Sequence, residues 1–219
     1  MLASCREPAG LLLRSRGSGA QVAAGTSTVR RVTGSAAGRA AVLAPGARYS
    51  TDGPLLMYPG LAVERRGGYT HRLSRAVPEF ASEDHERARV IAQVTAAVDA
   101  RVASAGVAAP VVIGKSLASL PAPAVADRGP AAIWLTPVLT DEPAVSALQA
   151  AEGPCLLVGG AAGQLRDGRA ARLVTPHVLE VEDADHGMLV PGALSASAAV
   201  LGQVITAVED FLDRVAWRH

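Results

Sequence analysis

Residues 111–119 read Val111-Val112-Ile113-Gly114-Lys115-Ser116-Leu117-Ala118-Ser119. The first three are β-branched and follow Pro110, which is the pattern of a strand buried on both faces, and the remainder passes through Gly-X-Ser-X-Ala into helix-compatible sequence. A strand-to-helix turn this tight puts its serine in a strained backbone conformation. The residues two before and two after it must therefore be small, and here they are Gly114 and Ala118. Gly114-Lys115-Ser116 also spells the end of a phosphate-binding loop. That loop needs a glycine five residues ahead of the Gly-Lys pair, where Ala109 stands, so the nucleotide reading fails. Taken alone, Gly-X-Ser ahead of a helix is equally an N-cap.

On either side, short continuous apolar runs alternate with helical patterns. Arg39–Ala44, Ala131–Leu135, Cys155–Val158 and Val178-Leu179-Glu180-Val181 each have the length of a buried strand, with Tyr69–Ser74 and Val29–Val32 as further candidates. Between Glu83 and Ala103 the apolar positions Val90, Ile91, Val94, Ala97, Val98 and Val102 recur at helical spacing. Residues 53–67 read as a helix stopped by Gly67, with Pro59 awkward in its interior, and Ala193–Val215 as a closing amphipathic helix. This alternation predicts an α/β fold: a mostly parallel open sheet with helices on both faces. Residues 27–219 form that one domain, behind a flexible segment of residues 1–26 rich in Gly, Ser and Arg.

Composition agrees with a self-sufficient core. The chain has 219 residues, 49% of them hydrophobic, and 21 basic residues against 20 acidic ones. That balance lacks the electrostatic footprint of a nucleic-acid or anionic-membrane partner. Lys115 is the only lysine; every other strong base is arginine. Cys5 and Cys155 make no disulfide framework, and Cys155 sits in an apolar run, which suits a reducing cytoplasmic setting. Leu11-Leu12-Leu13 is too short a stretch for a membrane span and poor for a secretory signal. His71, His85 and His177 have no second ligand at metal spacing, so neither metal nor cofactor is expected.

Two further segments add to the serine turn. Val181-Glu182-Asp183-Ala184-Asp185-His186-Gly187-Met188 puts a histidine in the loop between the last strand and the last helix. Chain order is then serine first and histidine last, with His186 placed as general base for Ser116. Leu43-Ala44-Pro45-Gly46-Ala47-Arg48-Tyr49-Ser50 is a glycine-containing loop after an early strand. Backbone N–H groups at Gly46 or Ala47, with that of Leu117, would form an oxyanion hole, although Pro-Gly is equally an ordinary turn.

With these residues in view, the chain from Arg39 to Val215 resembles the α/β-hydrolase superfamily, in particular its small, lidless dienelactone-hydrolase-like branch. The resemblance implies a nucleophile elbow at Ser116, a catalytic histidine at His186, and a triad acid in the loop after Cys155–Val158. The expected acid position falls on Gly163. Asp167, four residues on, and Asp141, after the preceding strand, are the alternatives. Only about a dozen residues separate Asp141 from the next strand, too few for a cap domain, so the pocket is expected to be open. Arg48, Tyr49 and Lys115 would border the substrate; Trp134 and Met188 read as core or pocket wall.

The expected function is a serine hydrolase cleaving a small carboxylic ester or related acyl compound through an acyl-serine intermediate, with a small molecule as its partner. The alternative is a non-catalytic domain of the same fold that binds a ligand or protein and has lost its triad acid.

Overall fold

The computed structural model describes residues 38–74, 82–103, 110–163 and 168–218. The expected strand at Val29–Val32 and the candidate acid Asp167 lie outside the described residues. So do residues 1–26.

Six parallel strands form one open sheet in the order β2-β1-β3-β4-β5-β6. They are β1 (Ala40–Ala44), β2 (Tyr69–Arg72), β3 (Val111–Lys115), β4 (Ala132–Leu135), β5 (Cys155–Gly160) and β6 (Val178–Val181). Every connection is a crossover through helix: α1 (Pro54–Arg65), α2 (Glu83–Val102), α3 (Ala122–Ala126), α4 (Glu142–Ala150) and α5 (Gly168–Val174), with α6 (Leu194–Phe211) closing the chain. Strands β1, β3, β4 and β5 are buried along their whole length, which is why they read as unbroken apolar runs rather than alternating ones.

Period-two alternation sends neighbouring residues to opposite faces. Leu43, Val111, Ile113, Ile133 and Val158 pack with Leu56 and Val63 of α1 and with Val200, Val204, Val208 and Phe211 of α6. Val42, Val112, Trp134 and Leu157 pack with Val90, Val94 and Val98 of α2, Val125 of α3 and Leu148 of α4. Fully burying such side chains is worth about 1.5–3 kcal/mol each. That scale explains Pro59. It lies inside α1 and is buried, and an interior proline costs a helix about 3 kcal/mol, which burial of Leu55, Leu56, Ala62 and Val63 on the same helix more than offsets.

The chain runs from β1 outward to β2 and then back past β1 to β3, so the direction of strand order reverses between β1 and β3. Such a switch point opens a crevice beyond the carboxyl ends of the strands, where ligands bind in open α/β sheets. Gly46 and Ser116 flank it. The β4–β5 connection holds the nine-residue α4 alone, and no cap domain is inserted there. Among the described residues no helix is long and apolar enough to cross a membrane.

Candidate active site

Ser116 directly follows β3 and opens a 3-10 turn, Ser116–Ser119. Its φ is +54°, in the left-handed region that a serine enters only when its surroundings force it. A Cβ on Gly114 would lie 2.6 Å from the Trp134 ring and 3.0 Å from the Ala118 carbonyl, so the small position ahead of the serine has no room to grow, and Ala118 after it is fully buried. Ser119 Oγ donates to the Ser116 carbonyl at 2.8 Å and accepts from Val138 N–H at 3.0 Å, which pins the turn to the loop after β4. Sequence reasoning gave Ser119 no role, because a serine's partners across a fold leave no local trace.

His186 lies in the loop after β6, and its Nε2 stands 2.9 Å from Ser116 Oγ. The loop is held in an unusual shape: Asp183 and Met188 take φ of +58° and +62°. Asp185 organises it, accepting from Gly187 N–H at 2.7 Å and from Leu189 N–H at 2.9 Å while its own N–H donates to the Leu189 carbonyl. Met188 and Ala184 anchor the loop in the core. It crosses directly over Gly160, where any side chain would collide with the Ala184 carbonyl. The imidazole is held below its ordinary pKa, first by burial and then by the Lys115 cation, with Asp185 opposing. The shift favours the free base.

The loop after β1 closes the site from the other side. A Cβ on Gly46 would stand 2.8 Å from the Lys115 carbonyl and 2.9 Å from Ser116 Cβ, so this backbone approaches the serine turn as only glycine permits. Leu117 N–H belongs to the first turn of the 3-10 segment, where amides have no intrahelical acceptor. Arg48 follows at φ +50° with its side chain exposed. Tyr49 is half-buried; its hydroxyl accepts from Leu55 N–H at 2.9 Å at the start of α1. Lys115 is 4% exposed, with Nζ 4.8 Å from the Tyr49 ring centroid and 3.4 Å from the His186 carbonyl to which it donates.

The acid is where expectation and structure part. Asp141 caps α4, one carboxylate oxygen accepting from Ala144 N–H at 3.1 Å and the other paired with Arg87. Both oxygens are engaged away from His186. Gly163 donates to the Gly160 carbonyl, and a Cβ on it would lie 3.9 Å from His186 N. The position expected to carry the acid thus adjoins the histidine but bears no carboxylate. Among the described residues no carboxylate is hydrogen-bonded to the imidazole, whose recorded ring partner is Ser116 through Nε2. No three His, Cys, Asp or Glu side chains cluster as a metal site among the described residues either. His177 packs edge-on to Phe211, and Trp134 and Met188 are core.

No family model matches the chain, and no curated protein does. Solved structures do. Est1E from Butyrivibrio proteoclasticus, in a structure with ferulic acid bound, superposes with a TM-score of 0.62 at 14% identity over 80% of this chain and 88% of that one. A lidless α/β serine hydrolase from Xanthomonas campestris gives 0.55 at 14% identity over 83% and 84%. A serine hydrolase homologue from Coxiella burnetii gives 0.57 at 12% identity over 77% and 84%. At such identities the likeness concerns architecture, and together with the strand order and the serine turn it establishes that this chain has the α/β-hydrolase fold.

Proposed function

We propose that this protein is a serine hydrolase acting on a small carboxylic ester or related acyl compound. The observation that carries the proposal is the 2.9 Å contact between Ser116 Oγ on a left-handed turn and His186 Nε2. A serine serving only as an N-cap has no need of either feature.

In the proposed reaction, Ser116 Oγ attacks the acyl carbon as His186 Nε2 takes its proton. The carbonyl oxygen becomes an oxyanion facing the N–H of Leu117 and that of Gly46 or Ala47, and each such donor is worth roughly 3–4 kcal/mol in acyl transfer. His186 returns the proton to the departing alcohol as the C–O bond breaks, leaving an ester on Ser116. Water, deprotonated by the same Nε2, then adds to that ester. The tetrahedral adduct collapses to release the carboxylic acid, and Ser116 regains its proton. Every step uses groups of the chain and water alone.

A carboxylate on the far nitrogen of the imidazole fixes its tautomer and stabilises its cation, and losing one costs a triad about 10⁴-fold in kcat. Without a contribution from Asp167 the enzyme works as a Ser116–His186 dyad and is slow. The bare Gly163 is also what supports the second reading, a binding domain on the same scaffold. Labelling by a fluorophosphonate, which needs an activated serine but no knowledge of the substrate, separates the two. The hydrolase reading requires labelling that Ser116→Ala and His186→Ala both abolish, and a folded wild-type protein that stays unlabelled refutes it.

A further inference from the structure

We propose that Lys115 is a positioning residue: its buried ammonium clamps the loop after β1 to the histidine loop, so that Gly46, Ser116 and His186 are held in one arrangement. The inference concerns the site proposed above and in part rests on that reading. Its geometry brings together the end of β3, the loop after β1 and the loop after β6. The lysine backbone belongs to β3, immediately ahead of Ser116. Its Nζ lies over the Tyr49 ring at 4.8 Å, within cation–π range. The same Nζ donates to the carbonyl of His186 itself at 3.4 Å.

Tyr49 is fixed in turn. Its hydroxyl accepts from Leu55 N–H, and a Cβ on Gly53 would meet the ring at 2.5–2.6 Å and the hydroxyl at 2.8 Å, so the ring is trapped between the start of α1 and the ammonium. The histidine loop has its own internal ties at Asp185, but among the described contacts Lys115 and Ser116 are the groups that hold His186 to β3. Keeping a charge on a residue with so little exposed surface is costly, and a chain whose other 20 strong bases are all arginine places its one lysine here. A compact point charge fits beneath a ring and against a carbonyl where a planar guanidinium does not. Being covered, the ammonium is unsuited to meeting substrate directly, the role expected of it from sequence.

The cation also helps keep His186 unprotonated. Among the described residues, the charged and titratable groups facing the imidazole are Lys115 from β3, Asp185 from its own loop and Ser116 at the turn, with Tyr49 facing the lysine. Removing the lysine charge therefore moves the pH dependence of the site, which a mere loss of packing does not.

The test uses the full chain with Lys115→Met, Lys115→Arg and Tyr49→Leu, following amide hydrogen exchange at Gly187 and Leu189 and the fluorophosphonate labelling rate against pH. In Lys115→Met both amides are expected to exchange about tenfold faster. Labelling is expected to slow by about ten- to a hundredfold, the cost of a misplaced catalytic group, with its pH midpoint displaced upward. Lys115→Arg, which returns a cation, is expected to bring the midpoint back toward that of the wild type. Tyr49→Leu is expected to loosen the same two amides although it touches neither, and it carries the test should Lys115→Met fail to fold. Unchanged exchange at Gly187 and Leu189 in a folded Lys115→Met or in Tyr49→Leu overturns the clamp. Because exchange needs no activity, a wild-type protein that is never labelled sinks the hydrolase reading while the clamp is judged separately.

Discussion

His186 Nε2 and Ser116 Oγ stand 2.9 Å apart although 70 positions separate them in the chain, and burial together with Lys115 holds the imidazole below its ordinary pKa of 6.5. Only the neutral ring accepts the serine proton. The rate of serine labelling is therefore expected to rise with pH along one limb whose midpoint lies below 6.5, and a midpoint above 7 would contradict this. Stability follows with the same sign. A base whose pKa is lower folded than unfolded binds fewer protons in the native state, so its contribution is complete above 6.5 and is lost as pH falls through the depressed value. Urea melts of wild type and His186→Gln between pH 4 and 8 check it: the difference in stability between the two is expected to change with pH below about 6.5 and to stay constant above it.

Gly46 meets the serine turn through backbone. In Gly46→Ala the new methyl would sit 2.8 Å from the Lys115 carbonyl and 2.9 Å from Ser116 Cβ, neither of which is the free end of a flexible side chain. The loop after β1 has to back away, taking its N–H groups off the oxyanion position. Labelling is expected to fall about 100-fold or more, against a stability loss of only about 1–3 kcal/mol. Both are measurable on one preparation. Undiminished labelling in a folded Gly46→Ala would contradict the placement of this loop at the oxyanion position.

Much of this was open to reading from residues alone, for a physical reason. β3 and β4 are buried on both faces, so their apolar runs are unbroken, and the steric demand at Ser116 is met within two residues on either side by Gly114 and Ala118. Information of that kind is local. The close approach of Gly46 is not: a Pro-Gly pair looks the same in any turn, and it acquires meaning only because β1 and β3 are neighbours. Asp141 illustrates the converse. Its placement ahead of Glu142-Pro143 is an ordinary N-cap pattern, and that local preference, reinforced by Arg87, prevailed over a distant histidine. The same limit hid the burial of Lys115, since nothing in Gly-Lys-Ser marks a cation that a tyrosine 66 positions upstream will cover.

Lys115 also makes a stability prediction opposite in sign to its functional one. Burial pushes its ammonium down to about 8 from 10.5, with Asp185 resisting. Between those values the unfolded chain binds a proton that the native state does not, so native stability is expected to rise with pH across that window. A single lysine makes this directly visible: the side-chain nitrogen of protein labelled with lysine-¹⁵Nζ gives one resonance, expected to titrate near 8. Lys115→Met removes the penalty of burying the charge and is expected to be more stable at pH 7, by the order of 1–3 kcal/mol, while labelling more slowly. A titration midpoint above 10 would show the ammonium to be solvated.

Gly163 offers a gain rather than a loss. A Cβ there would lie 3.9 Å from His186 N and 3.2 Å from the Gly160 carbonyl, which has to give by a few tenths of an ångström, and the φ of Gly163 is not among those that only glycine tolerates. Placing a carboxylate at this position should supply the imidazole with the partner that fixes its tautomer and stabilises its cation during attack. Gly163→Asp is therefore expected to raise the labelling rate by tenfold or more, within the roughly 10⁴-fold that a triad acid is worth, and Gly163→Asn to give no such gain. Asp167→Asn decides between the two origins of that effect. If it leaves the wild-type rate unchanged and Gly163→Asp accelerates, the protein works as a dyad awaiting its acid. If Asp167→Asn abolishes labelling and Gly163→Asp adds nothing, the acid was displaced along the loop by four residues and the triad is complete.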